Sequence, residues 1–528
     1  MDDGRIVQRT GVVKTLFQPT FRPKTPCSRR RIPPILESLW VDQASQGLFR
    51  QSPELSARSG LEMRQWLVLS ALACGSLMFA IWFPGWARQL FSLMAGALFL
   101  SLILIRLVAS FTPVRWATRR SLPSKDLPQA SIIIALYKEA RVFPQLIEAI
   151  KAIDYPFDKL EVKLAIEADD GETLEAAKLA YLDERFEIIA VPPGEPRTKP
   201  RALNFALRFC RGEIITVHDA EDRPHPKQLR IAAESFADAG PDLACLQAPL
   251  NWYNRDDNWL TRQFSLEYAA HFHALLPLYS RLGWALPLGG TSNHFRASAL
   301  RRARGWDAYN VTEDADLGFR LHALGYRCDL IQPMTLEEAP VRLWPWVCQR
   351  TRWLKGYAQT LAVHTRASDV THKPGFIPAL GLCLGASVVS ALVHLPLILL
   401  CLYGFLTGEF SDVMRIAIPA CLSAGYISAA VCARTGMQRA GLRARTTDLL
   451  TMPFYWPLQS FAALRALIQL VIAPYYWDKT EHGVSKTAHI SCTSPSSRPG
   501  LPSASVLPFS DYQPGEHGRR SGRKRDHA

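Results

Sequence analysis

Apolar and polar positions alternate on two different scales along this chain. Long, almost uninterrupted apolar runs occupy 65–82 and 90–108, on either side of Phe83-Pro84-Gly85-Trp86, and three more follow at 378–406, 414–433 and 449–473. A bilayer core roughly 30 Å thick needs about 20 apolar residues in a helix, so these runs have the length of membrane spans. The first two predict a helical hairpin over 65–112. The last run carries Pro453, Pro457 and Arg465. Arginine is costly at the bilayer centre, so an interfacial or re-entrant helix competes there with a fifth span. Membrane or interfacial helices are thus expected across 367–474.

Between these runs the period shortens. Residues 131–136, 162–168, 187–191 and 213–217 are short β-branched stretches, separated by helical patterns such as 143–153 and 199–210. Such alternation predicts an α/β domain over 128–366 with a mainly parallel sheet, inserted between the membrane helices. Ligands of such sheets bind beyond the carboxyl ends of the strands. Acidic residues follow three of the four strands, as Tyr137-Lys138-Glu139, Asp169-Asp170-Gly171 and His218-Asp219-Ala220-Glu221-Asp222.

Charge changes the picture of partners. The net charge is +14, yet residues 128–376 hold 30 Lys+Arg against 32 Asp+Glu. The folded block is therefore slightly acidic, which excludes a nucleic-acid-binding face. The basic excess lies in 1–64, 113–127, 434–447 and the tail from 475, all beside apolar runs. By the positive-inside rule the central domain faces the cytoplasm, and the base-free link 407–413, with Glu409 and Asp412, faces outward. The eleven cysteines form no CxxC pair, and Cys74, Cys401 and Cys421 read as small core residues. The first sixty residues are polar and basic, unlike a cleavable signal peptide. Residues 1–64 and those after about 490 have the composition of disordered cytoplasmic segments.

Three clusters carry candidate chemistry. Asp219, Glu221 and Asp222 place three carboxylates in four residues; they suit Mg²⁺ or Mn²⁺, bound through carboxylates plus substrate phosphates, or form a solvated turn capping the next helix. Thr312-Glu313-Asp314 opens a helical pattern, where carboxylates favour the helix dipole or serve as a general base. Gln349-Arg350-Thr351-Arg352-Trp353, with Trp344 and Trp346 nearby, suits a helix at the membrane surface. Arg352 could equally pair with a diphosphate, and Trp353 could offer a flat face to a sugar ring.

In order, Glu139, Asp169-Asp170, Lys199 with Asn204, Asp219 to Asp222, Thr312-Glu313-Asp314 and the QxxRW element at 349–353 resemble the motif series of processive family-2 glycosyltransferases. The likeness covers 128–366 and is nearest to bacterial cellulose-synthase-like polysaccharide synthases, including those of the XagB type. The resemblance implies a GT-A type domain, Rossmann-like, in the bacterial inner membrane with its catalytic side cytoplasmic. It also implies inverting, metal-dependent transfer of a sugar, glucose first, from a UDP-sugar onto a growing β-linked polysaccharide. Glu139, Asp169, Asp170, Lys199, Asp219, Gln349, Arg352 and Trp353 would bind the donor. Asp219, Glu221 and Asp222 would supply metal ligands, and Asp314 with Glu313 the catalytic carboxylates. Gly290, Thr291 and Ser292, with Trp353, would line the acceptor site. Residues 477–483, in the tail 475–528, would form a gating segment over the donor. Glu221 departs from the family, which has aspartate there, and the tail is too short for the cyclic-di-GMP-binding domain of cellulose synthase; Arg519 to Arg523 reads as solvated charge.

Single-sugar transfer to a membrane lipid is the alternative within this class, because the QxxRW element occurs there too. A transporter with a regulatory domain is the rival from another class. It leaves the ordered acidic clusters unexplained, and no paired hydrophobic repeats are seen. Four or five spans suggest a homo-oligomer or a secretion partner to complete a pore.

Overall fold

The computed structural model describes residues 34–366, 373–408, 412–478 and 483–485. The expectations for residues 1–33, for Glu409, for positions 479–482 of the gating segment and for the tail from 490 fall outside these residues.

Ten strands appear in chain order: β1 (Ala130–Leu136), β2 (Leu160–Glu167), β3 (Phe186–Val191), β4 (Ile214–His218), β5 (Arg223–Pro224), β6 (Leu243–Gln247), β7 (Leu250–Trp252), β8 (Asn293–Arg296), β9 (Arg327–Leu330) and β10 (Thr335–Glu337). Seven form one sheet in the order β3-β2-β1-β4-β8-β6-β9. Every pairing is parallel except those of β8, which runs antiparallel to both neighbours. Strands β5, β10 and β7 make a small second sheet. The mainly parallel α/β architecture expected from the strand pattern is present.

The strand interiors are apolar on both faces because helices cover both. Successive side chains point to opposite sides of a strand. Ile133 and Ala165 accordingly join the core under the helix Lys199–Leu207, while Ile132, Ile134, Val162, Leu164 and Ile166 join the core under Phe143–Lys151 and Gln228–Asp238. The right-handed crossovers of such units leave the carboxyl ends of β1, β2 and β4 on one edge, where the acidic clusters lie.

Four helices are long and apolar enough to cross a membrane: Met63–Trp82, Pro84–Phe111, Phe376–Thr407 and Met414–Arg439. The fifth apolar run folds as a continuous helix, Met452–Ile472, despite Pro457 inside it. It packs against Leu343–His364 and Ala386–Thr407, and its Arg465 pairs with Asp478 at 2.7 Å. The cation that argued against a span is thus neutralised at the helix flank.

One expectation is corrected. Residues 34–59 are not without structure: Pro34–Gln51 is a helix followed by two short 3₁₀ turns. Trp40 meets Phe209 edge-on at 5.7 Å, Asn204 donates to the Ala44 carbonyl at 3.1 Å, and Arg366 reaches the Ser56 carbonyl at 2.8 Å. Those partners are 160 or more positions away in sequence, so a polar composition could not reveal the docking.

The membrane helix Met414–Arg439 abuts the helix Trp259–Ala270 so closely that a Cβ on Gly436 would fall 2.2 Å from the Ala269 carbonyl oxygen. Gly436→Ala is expected to cost about 1–3 kcal/mol through overpacking. Thermal unfolding of the detergent-solubilised protein measures this, and an unchanged midpoint would mean that the two helices can slide apart freely.

Candidate active site

Beyond β1 the chain turns sharply. Lys138 adopts φ 56°, a left-handed conformation that is uncommon without glycine. Its amide donates to the Asp170 carboxylate, and the Glu139 amide donates to Thr173 Oγ1 at 2.9 Å. Asp170 also accepts from the Thr173 amide at 3.2 Å, capping the helix Gly171–Leu179. Asp169 instead pairs with Arg197 at 2.8 Å. A cavity of about 510 Å³ is bordered by Glu139 and Arg197 but not by Asp169 or Asp170. Those two aspartates stand behind the wall and shape it.

The turn after β4 divides its carboxylates. Asp219 and Glu221 border the cavity. Asp222 is turned away: its Oδ2 accepts the Asp219 amide at 2.9 Å and the Thr291 hydroxyl, and lies 3.2 Å from His218 Nδ1. The expected three-carboxylate metal group is therefore reduced to two facing side chains, and among the described residues no three His, Cys, Asp or Glu side chains are grouped to hold an ion. Burial, then Asp219 and Asp222, push the Glu221 carboxyl well above its ordinary range. Two such carboxylates still fit Mg²⁺ or Mn²⁺, which take one or two carboxylates and complete their shell with phosphate and water.

Lys199 opens the helix Lys199–Leu207 and sits 2.5 Å from Asp219 Oδ1 and 2.5 Å from the Gly290 carbonyl. Burial alone would lower its ammonium, but Asp219, Asp314 and Glu313 outweigh that and raise it. A Cβ on Gly290 would lie 3.9 Å from both Lys199 Nζ and Asp314 Oδ2, so the lysine, Asp219 and Asp314 surround a single space. Thr291 also borders it; Ser292 does not, being fully buried with its hydroxyl 2.6 Å from Thr335 Oγ1.

Helix Glu313–Ala323 presents its first turn to the cavity. Asp314 is only 3% exposed; its Oδ1 accepts from Trp306 Nε1 at 2.8 Å, while Oδ2 has no hydrogen-bond partner among the described residues. Burial raises Asp314 to about 6, against the pull of Lys199. Burial and then Asp314 raise Glu313 to about 8. Helix Leu343–His364 brings up Gln349, Arg352 and Trp353. Six atoms on the residues lining this cavity, Asp314 Oδ2, Glu337 Oε1, Gln349 Oε1, Arg350 Nε, Arg352 Nε and Trp456 Nε1, are buried without a hydrogen bond among the described residues. Leaving each unmet costs about 1–3 kcal/mol, so their convergence points to a polar ligand rather than to packing.

The second arginine of the 349–353 element has a different task. Arg350 grips Glu267 at 2.7 Å, Tyr455 donates to the same carboxylate at 2.7 Å, and the guanidinium lies 4.7 Å from the centre of the Trp353 ring. Trp353 is thereby braced, with Phe264 and Tyr268 rings 5.8 and 5.9 Å away. Arg352 stacks on Trp477 at 4.4 Å. Beyond that tryptophan, Glu338 accepts backbone amides from Gly483, from Val484 at 3.0 Å and from Ser485 at 2.7 Å. Both described ends of the C-terminal segment are thus fastened beside the cavity.

Sequence reasoning did not pick out Glu337, Glu338, Glu267 or Trp306. The pair Glu337-Glu338 at the end of β10 is a fourth strand-end acidic group, and that signal was readable. Nothing local marks Glu267 or Trp306, whose partners lie on other helices.

Residues 214–431 match the family model described as Glycosyl transferase family group 2. Among similar proteins, the chain is 25% identical over 239 residues to "Probable glycosyltransferase YdaM" of Bacillus subtilis, covering 44% of this chain and 56% of that protein. It is 28% identical over 241 residues to the "Beta-monoglucosyldiacylglycerol synthase" of Synechocystis, covering 43% and 48%. It is 27% identical over 243 residues to the Arabidopsis thaliana "Probable glucomannan 4-beta-mannosyltransferase 1", covering 44% and 43%. The chain spans about half the length of these relatives. A solved mannosyltransferase from Pyrobaculum calidifontis, with GDP-Man and Mn²⁺, overlays with a TM-score of 0.45 at 20% identity, over 71% of this chain and 98% of that one. The chain carries a glycosyltransferase family 2 domain over residues 214–431, together with a mainly parallel sheet and four apolar helices of membrane-spanning length.

Glu338→Gln removes a charge that three backbone amides share. Charge-assisted bonds of this kind are worth about 1.5–3 kcal/mol. The donor kcat/KM is expected to fall about tenfold, with unfolding unchanged; steady-state kinetics with a nucleotide-sugar donor tests it, and unaltered kinetics would detach residues 483–485 from the site.

Proposed function

We propose that this chain is a membrane-embedded inverting glycosyltransferase that moves a hexose from a UDP-sugar, glucose first, onto a growing β-linked polysaccharide. One observation carries the reading: the cavity that holds Asp219, Glu221, Lys199 and Asp314 continues between the apolar helices, where Ser387, Ser390, His394, Tyr426, Trp456 and Gln459 line it. Polar side chains at membrane depth that face an interior cavity mark a substrate path. Hydroxyl, imidazole, amide and indole groups suit a sugar chain.

In this reading Asp314 Oδ2, the unpartnered oxygen, accepts the proton of the acceptor hydroxyl as that oxygen attacks the anomeric carbon. The bond from that carbon to the diphosphate breaks on the opposite face, giving inversion. Trp306 holds Asp314 through its other oxygen, so the basic lone pair stays directed into the cavity. Arg352 and Lys199 offset the charge gathering on the departing diphosphate. A divalent ion held by Asp219 and Glu221 would add charge stabilisation there. Glu313, with its raised affinity for a proton, stays neutral beside the base. Trp353 offers its face to the acceptor's terminal sugar.

Lipid glycosylation is the second reading, favoured by the apolar wall that Phe99, Leu102 and Ile105 give the same cavity. Membranes containing the chain, supplied with radiolabelled UDP-sugars and Mg²⁺ or Mn²⁺, distinguish the two. Label in a long, glucanase-sensitive polymer is expected; label extracted with lipids would establish single transfer, and no label from any donor would refute both.

Asp314→Asn should keep UDP binding and lose transfer by at least about a hundredfold; an active variant would move the base elsewhere. Because Asp314 must be deprotonated to act, and burial raises it to about 6, kcat/KM should fall as pH drops through that value rather than through the ordinary aspartate range. A pH–rate profile flat to pH 4.5 or so would contradict this. Asp219→Ala should weaken metal and donor binding together, read by calorimetry.

A further inference from the structure

Arg106 lies five residues from the end of the membrane helix Pro84–Phe111 that leads into the catalytic domain. At 1.5 Å per residue it stands roughly 8 Å inside that end, the depth at which headgroups give way to hydrocarbon. It borders the interior cavity, with its guanidinium 5.2 Å from the centre of the Trp456 ring. Among the described residues no carboxylate is within ion-pair distance of it. The carboxylate that faces it is Glu267, and Glu267 is already held by Arg350 and Tyr455, each at 2.7 Å.

A guanidinium at membrane depth without a counter-ion is expensive, and such residues persist where a ligand or water supplies the missing partner. Its planar fork matches phosphate oxygens, which a point-charge lysine would not. On the same helix Phe99, Leu102 and Ile105 border the cavity, as does Leu422, which packs in one apolar cluster with Phe99. That wall is apolar for two turns and ends in one cation, the profile of a lipid laid along it with its phosphate at Arg106.

We infer that Arg106, backed by Trp456, is a binding point for the phosphate of an anionic membrane lipid whose acyl chains lie along the Phe99–Ile105 wall. The site shares its cavity with the carboxylates and its Trp456 with the acceptor path proposed above, while the phosphate contact at Arg106 is distinct from the sugar-transfer chemistry. The phosphate would enter on the catalytic side of the membrane, beside the acceptor path.

The full chain in phosphatidylcholine nanodiscs tests this by native mass spectrometry. Dioleoylphosphatidylglycerol is offered against dioleoylglycerol, which has the same chains and no phosphate. The wild type should retain the phospholipid at least about tenfold better, since a charge-assisted phosphate contact is lost with the glycerolipid. Arg106→Gln should bring that preference close to one, and Arg106→Lys should keep part of it. An undiminished preference in Arg106→Gln would overturn the site. So would displacement of the lipid from the wild type by millimolar inorganic phosphate, which would mean that a free anion is bound. The competition on the wild type decides the matter even if the glutamine variant fails to fold. UDP binding, measured in the same samples, should be equal in all variants; its absence throughout would refute the transferase reading and leave the lipid result standing.

Discussion

Repulsion between buried and half-buried carboxylates sets the terms for the rest of this site. Asp219, Glu221, Glu313, Asp314 and Glu337 all border one cavity, and in a medium less polar than water their mutual cost is high. Two devices contain it. Lys199 and Arg352 are placed among them, and burial raises the proton affinity of Glu221, Glu313, Asp314 and Glu337 so that not all are charged at once. A polar, phosphate-bearing ligand with a divalent ion would relieve what these leave over. The unpartnered oxygens of Asp314, Gln349 and Glu337 fit the same conclusion from hydrogen bonding, independently of charge.

Rigidity at this site is supplied from behind. Asp170 looks at first like a ligand residue, yet it caps a helix and fixes the strained turn at Lys138. Asp222 fastens the Asp219 amide, His218 and Thr291 into one block. Acidic residues in the same short motifs thus divide between those that face the cavity and those that hold the facing ones still. A side chain held by several bonds cannot also turn outward, which is why Asp170 and Asp222 are withdrawn.

The helix Leu343–His364 joins chemistry to membrane. Its inward side carries Gln349, Arg352 and Trp353 into the cavity, and its neighbouring side locks onto Met452–Ile472 through Trp346, Arg350 and Tyr455. The Arg350–Glu267–Tyr455 cluster ties three helices together, so the pose of Trp353 depends on the packing of Met452–Ile472. Any movement of that helix would be felt at the Trp353 face of the cavity.

Local chemistry made much of this legible in the sequence alone. Period-two and longer apolar runs identified β1 to β4, the helices between them and the spans, because periodicity follows from which face is buried. The order of acidic clusters after strands, with Thr312-Glu313-Asp314 and the QxxRW element, brought Asp219, Glu221, Asp314, Arg352 and Trp353 forward, since strand ends in such sheets converge by construction. Tertiary structure alone decided which member of each cluster faces the cavity, that residues 34–59 dock on the domain, that Glu267 and Trp306 brace the site, and that Arg106 is left without a counter-ion. Some of these turn on partners scores or hundreds of residues away and others, such as Trp306 with Asp314, on how a short loop folds back; a sequence records which groups a chain carries but not which groups have already taken them.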